Sequence, residues 1–447
     1  MKKLAIHSHL RLYRLHFLLI AHAAFFSSIT LASDADILKP THDFSKAEKY
    51  ELLPAGALTH KKTLNHNAFS HPSANMNFER RSDFNVGNAL FKRIWVSSPS
   101  STQASDGLGP LFNARACQRC HIKDGRGHPP ANADDNAVSM LMRLSIPPEN
   151  DEQQALLDSR KINSIPHKIY GGQLQDRSVP GLYSEGKFTI TYTEIPVTLA
   201  DGETAFLRKP QYHFSQLHYG KLPTSIRYSP RIAQQMIGLG LLEAIDEKDI
   251  IQQADPHDKN NDGISGKAQQ VWSHEYQKVM LGRFGHKAGM PTLNQQNQAA
   301  FGGDIGLGTP LFPNAYGDCT KNQTACLNMP TGNSSQYDHL EVDQTMAELV
   351  LHYTRNLSVP ARRNVSSPEV LAGKKLFYTQ GCIDCHTPKY ITPRHTAESE
   401  QARQLIWPYT DMLLHDMGEG LADGFIEASA NGQEWRTPPL WGIGLTP

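Results

Sequence analysis

Neither sign of charge is in excess in this chain. Lys and Arg number 44 and Asp and Glu number 44, so the net charge is zero with His neutral. That balance gives no reason to expect nucleic acid or a strongly anionic surface as partner. Cysteine is scarce, with 6 in 447 residues, which excludes a fold stapled throughout by disulfides. Residues 33–80 lack any sustained apolar period and read as a polar tether. No stable membrane span is expected. A hydrophobic content of 39% and a charged content of 20% fit a globular protein of two or three domains.

The N-terminus has the pattern of an export signal. Lys2, Lys3, Arg11 and Arg14 precede a short apolar core at residues 15–24, and Thr30, Leu31 and Ala32 supply a cleavage site. Residues 1–32 are therefore read as a signal peptide. An uncleaved anchor is the alternative, because His16 and His22 interrupt the core. No Cys lies near the cleavage point, which argues against a lipoprotein. The body is expected outside the cytoplasm, in the periplasm.

Four of the six cysteines fall in two copies of one pentad, Cys117-Gln118-Arg119-Cys120-His121 and Cys382-Ile383-Asp384-Cys385-His386. With 6 Cys and 21 His, chance supplies about 0.004 such pentads per chain. The spacing suits covalent c-type haem: two thiols add across the porphyrin vinyl groups and the adjacent His becomes the proximal iron ligand. Zinc ordinarily wants a second Cys or His pair nearby, and a thioredoxin-like pair needs no His after its second Cys. Two covalently bound c-type haems are expected. The remaining Cys319 and Cys326 sit in a polar stretch and are read as a local disulfide, with a redox-active thiol pair as alternative.

Each pentad follows a Gly with Leu-Phe behind it, Gly87 with Leu90-Phe91 and Gly373 with Leu376-Phe377. This echo suits an N-terminal helix that packs closely through Gly and lays Phe on the haem edge. Residues 97–106 read as a loop inserted in the first unit. Residues 138–146 look like a strand, and residues 187–195 and 204–208 flank an Asp201-Gly202 turn as a hairpin. Helices are expected from about Pro230 to Ile245, near 268–282 and at 342–356. The fold expected is mainly α: a first cytochrome c-like unit at 81–150, an insertion with a small β element at 151–355, and a second unit at 356–447.

Several longer motifs then carry a resemblance. They include Gly107-Leu108-Gly109-Pro110-Leu111-Phe112-Asn113-Ala114, Asp124-Gly125-Arg126-Gly127 and Tyr170-Gly171-Gly172-Gln173-Leu174. Gly238 to Ala244, Asn261 to Gly266, Gly282 to Gly285, His415 to Gly418 and Glu434 to Gly442 continue it. The chain resembles the di-haem oxidoreductase family, often labelled thiol oxidoreductase-like and related to bacterial di-haem cytochrome c peroxidases. The resemblance implies peroxidase-type chemistry. It also implies a further segment, with a late His as sixth ligand to the second haem, so this chain reads as C-terminally truncated and its second unit as incomplete.

What covers each iron's other face separates a carrier from a catalyst. Met417 is a candidate distal ligand for the second haem and His415 a weaker one; an ordinary core Met is the competing reading. His286 and Met290 could reach the first haem, although a structural His is favoured. Glu243, inside an apolar run, is the candidate general acid–base, against a favoured structural pairing with Arg231 or Arg283. Asp258, Asn260 and Asp262 have the oxygen spacing of a calcium loop, but Gln269 stands where an EF-hand has Glu, and a plain turn fits as well. Related peroxidases hold a calcium between their haems. Trp95, Trp272, Trp407, Trp435 and Trp441 could relay electrons or serve as core.

The expected function is a periplasmic di-haem peroxidase that reduces H2O2. Its electrons would enter through the C-terminal haem from a small donor protein, a cytochrome c or a cupredoxin. The alternatives are an electron-transfer cytochrome without a catalytic site, an oxidase of side chains or thiols, and a truncated product that loads only the first haem.

Overall fold

Five helices organise the chain in the computed structural model: α1 (Phe78–Lys92), α2 (Leu239–Ala244), α3 (Leu293–Ala300), α4 (Gln344–Arg355) and α5 (Pro368–Thr379). The structure describes residues 34–132, 135 and 139–446, so the expected signal peptide lies outside the described residues. The short helix Asp34–Leu38 belongs to a small unit ending at Lys39, and Pro40 onward forms one second unit.

Helix starts are fixed by side-chain caps that satisfy orphan first-turn N–H groups. Asn77 accepts from the Arg80 N–H at α1, Asp343 from Met346 at α4, and Ser367 from Val370 at α5, which has Pro368 in its first turn. Phe84, Gly87, Leu90 and Phe91 form the buried face of α1, three and four residues apart as one helix stripe requires. That stripe packs on α4 through Phe84 and Phe91 against Tyr353. The resulting core also takes Trp95, Phe112, Phe301 and Leu307. A second core gathers Leu58, Phe69, Ile237, Leu241, Leu281 and Trp441.

The chain is not mainly α. Helix accounts for 26% and strand for 19%, spread over several small sheets. Among the strands are β1 (Met140–Ser145), β2 (Lys187–Thr198), β3 (Thr204–Ser215), β4 (Arg227–Ile232), β5 (Gly266–Lys267), β6 (Gln270–Ser273), β7 (Lys278–Leu281), β8 (Leu414–Asp416) and β9 (Glu434–Arg436). The expected hairpin forms with Thr198 opposite Thr204 around the Asp201-Gly202 turn, and β1 pairs with β4. The expected helix near 268–282 is instead the hairpin β6–β7. Its turn is reached through Gln277 at φ 51°, a conformation that ends a helix. Likewise residues 230–232 lie in β4, so the helix expected from Pro230 is reduced to α2.

The stretch expected as a tether is packed from residue 51 to 76. Glu51, Ala55, Leu58, His60, Phe69 and Met76 are buried. The stretch has no period because turns, not helices or strands, bring these residues inside. The Gly echo is only half structural. A Cβ on Gly87 would stand 2.2 Å from the Leu349 carbonyl oxygen, whereas one on Gly373 meets nothing within 4 Å. Gly87→Ala should therefore lower Tm by overpacking, at ~1–3 kcal/mol. Gly373→Ala should be neutral or stabilising by up to ~1 kcal/mol, and calorimetry of the two variants checks the contrast.

Candidate haem-binding sites

The first pentad forms a single helical turn, Cys117–Cys120, with the His121 N–H closing on the Cys117 carbonyl. His121 Nδ1 donates to the Gln234 carbonyl oxygen at 2.7 Å. A proton held there leaves Nε2 as the free lone pair, the tautomer a metal ligand needs. The Phe91 ring lies 6.2 Å from the imidazole. Burial, with Asp304 adding, pushes each thiol up to about 12. The turn is anchored by Asp124, fully buried, whose carboxylate accepts from Ser70 Oγ at 2.5 Å and Tyr353 Oη at 2.6 Å.

The second pentad repeats this setting. His386 Nδ1 donates to the Tyr409 carbonyl oxygen at 2.8 Å, and the Phe377 ring lies 6.0 Å from the imidazole. Phe377 and Tyr409 also line a cavity of about 520 Å³, together with Arg362, Lys374, Tyr378, Trp407 and Trp441. Trp407 Nε1 and Trp441 Nε1 are buried on this wall without a hydrogen-bond partner among the described residues. An apolar slot with unpaired donors and cations suits a flat macrocycle that carries carboxylates.

The residues at both pentads fit a haem. At the first, Arg231 keeps Nε and Nη1 buried and without partners among the described residues, next to Arg126 and Arg436 around His286. Those donors suit the same carboxylates. Burial and this positive surrounding pull the His286 pKa well below its usual range. The His286 ring rests edge-on against Trp435 at 6.4 Å.

The two sites share a wall. Gln234, whose carbonyl holds His121, precedes Gln235, whose Nε2 donates to the Trp441 carbonyl at 2.9 Å. The Trp441 ring presses on Gly238, where a Cβ would stand 2.3 Å from it and where φ is +70°. On the other side Thr410, next to Tyr409, bonds the Thr437 carbonyl at 2.7 Å, and Arg436 bonds the same oxygen at 3.0 Å. Of the five tryptophans, Trp407 and Trp441 line the second cavity, and Trp95 is core.

Behind the first thiols lies a set of acids that the sequence did not single out. Asp304, in the π-turn Phe301–Ile305, acts electrostatically on both Cys117 and Cys120. Gln173 Nε2 bonds Asp304 at 2.9 Å and Asn113 at 2.7 Å. Glu185 is fully buried, accepting from the Gln175 N–H at 2.7 Å and Gln323 Nε2 at 2.6 Å. Burial raises the Asp176 and Asp304 carboxyls, lifts Asp318 to about 6 and carries Glu185 well above the carboxylate range. Gln175 gives Nε2 to the Gly303 carbonyl and leaves Oε1 buried without a partner. Gln323 lies in the loop closed by the Cys319–Cys326 disulfide and Asp318 immediately precedes it, so that staple helps to hold the cluster in place. The cluster's sequence traces were Asn113 in the Gly107–Ala114 motif and Gln173 in the Tyr170–Leu174 motif.

The other candidates fall as follows. Glu243 accepts from Arg355 Nε at 2.6 Å and the Leu293 N–H at 2.8 Å, so it ties α2 to α3 and α4. Its partner is Arg355 rather than Arg231 or Arg283. Met417 is 49% exposed. His415 Nε2 bonds Asp411 at 2.6 Å with Nδ1 3.7 Å from Cys385 Sγ. Burial opposes its charge, but Asp411 and Cys385 outweigh burial and push it up to about 10. Met290 bridges its backbone to Phe284. Asp258 and Asp262 accept N–H groups of their own loop, from Asp262, Gly263 and Ile264. Among the described residues no group of three His, Cys, Asp or Glu is placed to hold a metal ion. The loop is built as a turn.

The family described as "di-haem oxidoreductase, putative peroxidase" matches residues 55–447, and the chain belongs to it. No curated protein and no solved structure matched the chain. The family and the two His settings together make this a di-haem oxidoreductase. Haem should therefore be lost one site at a time. A pyridine haemochromogen assay should give two haems for the intact protein, one for Cys382→Ala/Cys385→Ala, and one for Cys117→Ala/Cys120→Ala.

Proposed function

We propose that this chain is an exported, periplasmic c-type peroxidase that reduces hydrogen peroxide to water. Its haems would be attached through thioethers at Cys117 and Cys120 and at Cys382 and Cys385. The observation that carries the reading is an asymmetry. A buried acid cluster backs the first pentad, while the second opens on an apolar cavity rimmed by cations. Haem supplies a redox metal centre with room for peroxide and a store of electrons.

The chain's own groups would supply the proton chemistry. Burial raises the Glu185 carboxyl well above its ordinary value, which favours the protonated form and suits it to hold and return one proton, the general acid–base work that peroxide cleavage needs. Gln175 Oε1, buried without a partner, offers an acceptor beside it. Gln173 and Asn113 connect Asp304 to the same set. The single turn at the first pentad and the Asp124 anchor fix the site against movement.

Electrons would enter at the second site, whose rim exposes Leu376 and Ile443. Such a rim suits a small donor such as a cytochrome c or a cupredoxin, because electron-transfer contacts are small and transient. The link from Trp441 through Gln235 to Gln234 supports passage inward to His121. The signal pattern at residues 1–32 supports the periplasm, where c-type haem attachment and the Cys319–Cys326 bond are both at home.

Steady-state turnover of H2O2 by haem-loaded, pre-reduced protein with a reduced cytochrome or dye tests the proposal. Absence of turnover would contradict it. Glu185→Gln should cut kcat by about 10²–10⁴-fold with haem content unchanged. Glu243→Gln should lower Tm through the lost Arg355 pairing and leave kcat as in the parent.

A further inference from the structure

We infer that residues 44–54 form a strap that sets the reduction potential of the second haem through Glu48 and Glu51. The inference rests on the reading that a haem fills the cavity beside His386. The strap lies ahead of the family match, which begins at residue 55.

The strap is closely held. Phe44 meets Tyr378 edge-on at 5.4 Å, and the Pro54 carbonyl accepts the Trp407 N–H at 2.8 Å. Between these ends the two carboxylates reach three cations. Glu51, 1% exposed, sets Oε1 on Arg362 at 2.5 Å and Oε2 on Lys374 at 2.8 Å. Glu48 sets Oε1 on Lys374 at 2.8 Å and Oε2 on Lys389 at 2.7 Å. The Glu48 N–H bonds Glu51 Oε2 at 2.8 Å and locks the pair in register.

The cations face the haem cavity. Arg362 and Lys374 line it directly. Lys374 and Lys389, only 7% and 4% exposed, lie over the Trp407 ring at 5.7 and 5.1 Å. Arg362 lies over Tyr409 at 5.6 Å, the residue whose carbonyl orients His386. Lysine is almost never this buried unless paired, and all three cations are paired with strap carboxylates. With the strap in place the group carries one net positive charge, three cations against two carboxylates. Without those two charges the cavity wall carries three.

Positive charge beside a haem favours the ferrous form, and shielded charges act strongly because little solvent screens them. The strap therefore holds the second potential down. A structural clamp with no electrostatic role would give the same contacts, so the test must separate charge from stability. Spectroelectrochemical titration of the full-length, haem-loaded protein does so when two opposite substitutions are compared. Glu48→Gln should raise the second potential, shifting its reduction equilibrium about tenfold toward ferrous, or about 59 mV for one electron. Lys389→Gln should lower it. The first potential should stay where it is in both.

Lower Tm in both variants with neither potential moved would overturn the inference and leave the strap a clamp. Shifts of the same sign in both would overturn it too, because charge predicts opposite signs. If the intact protein loads only one haem, the second-site reading itself fails, and the haem count shows this before any potential is measured.

Discussion

Everything at the two sites depends on one hydrogen bond made twice. Each pentad histidine commits its Nδ1 proton to a backbone carbonyl, Gln234 for His121 and Tyr409 for His386. That bond fixes the ring orientation and the tautomer together, and leaves Nε2 free on the side where a macrocycle would lie. It also dictates where the rest of the chain must go. Residues 234–238 have to pass behind the first histidine and residues 409–410 behind the second. The C-terminal segment 436–442 then joins the two, through Thr437 to Thr410 and through Trp441 to Gln235. Two sites 260 or more residues apart in sequence thereby share one wall. The small sheet of β5, β8 and β9 exists to present that segment.

The surroundings differ where the histidines agree. The first site is backed by acids whose charge burial suppresses, held by glutamines and a disulfide-closed loop. The second is an apolar slot whose cations are matched by carboxylates from the N-terminal strap. Buried neutral acids are reservoirs for protons, and buried paired cations bias an electron site. On the proposed function, one fold would thus separate proton handling from electron handling.

What was legible in the sequence was what local chemistry dictates. The pentads stood out because Cys-x-x-Cys-His is a local pattern that carries its own chemistry. The Asp201-Gly202 turn, α1, α4 and the Cys319–Cys326 pair were legible for similar reasons: a turn, a stripe or a short loop carries its own signal. Burial assembled from distant pieces was not. Leu58, Phe69 and Met76 looked like tether because turns separate them, and the β6–β7 hairpin looked helical because its apolar residues mimic a helical stripe. Glu243 drew attention for lying in an apolar run, yet its carboxylate belongs to Arg355 on α4. Glu185 has no such setting in the sequence, since its burial comes from Gln175 and Gln323, and the latter is 138 residues away. The half-exposed Met417 shows the same limit, because spacing from His386 could not reveal which side faces solvent.

The proposal that peroxide is reduced at the first site, beside the acid cluster, requires an iron face there that peroxide can reach. Low-temperature EPR of the oxidised, haem-quantified protein tests it most directly. The account predicts a high-spin ferric signal that cyanide converts to low spin and that is missing from Cys117→Ala/Cys120→Ala. Low-spin signals alone, unmoved by cyanide, would contradict it.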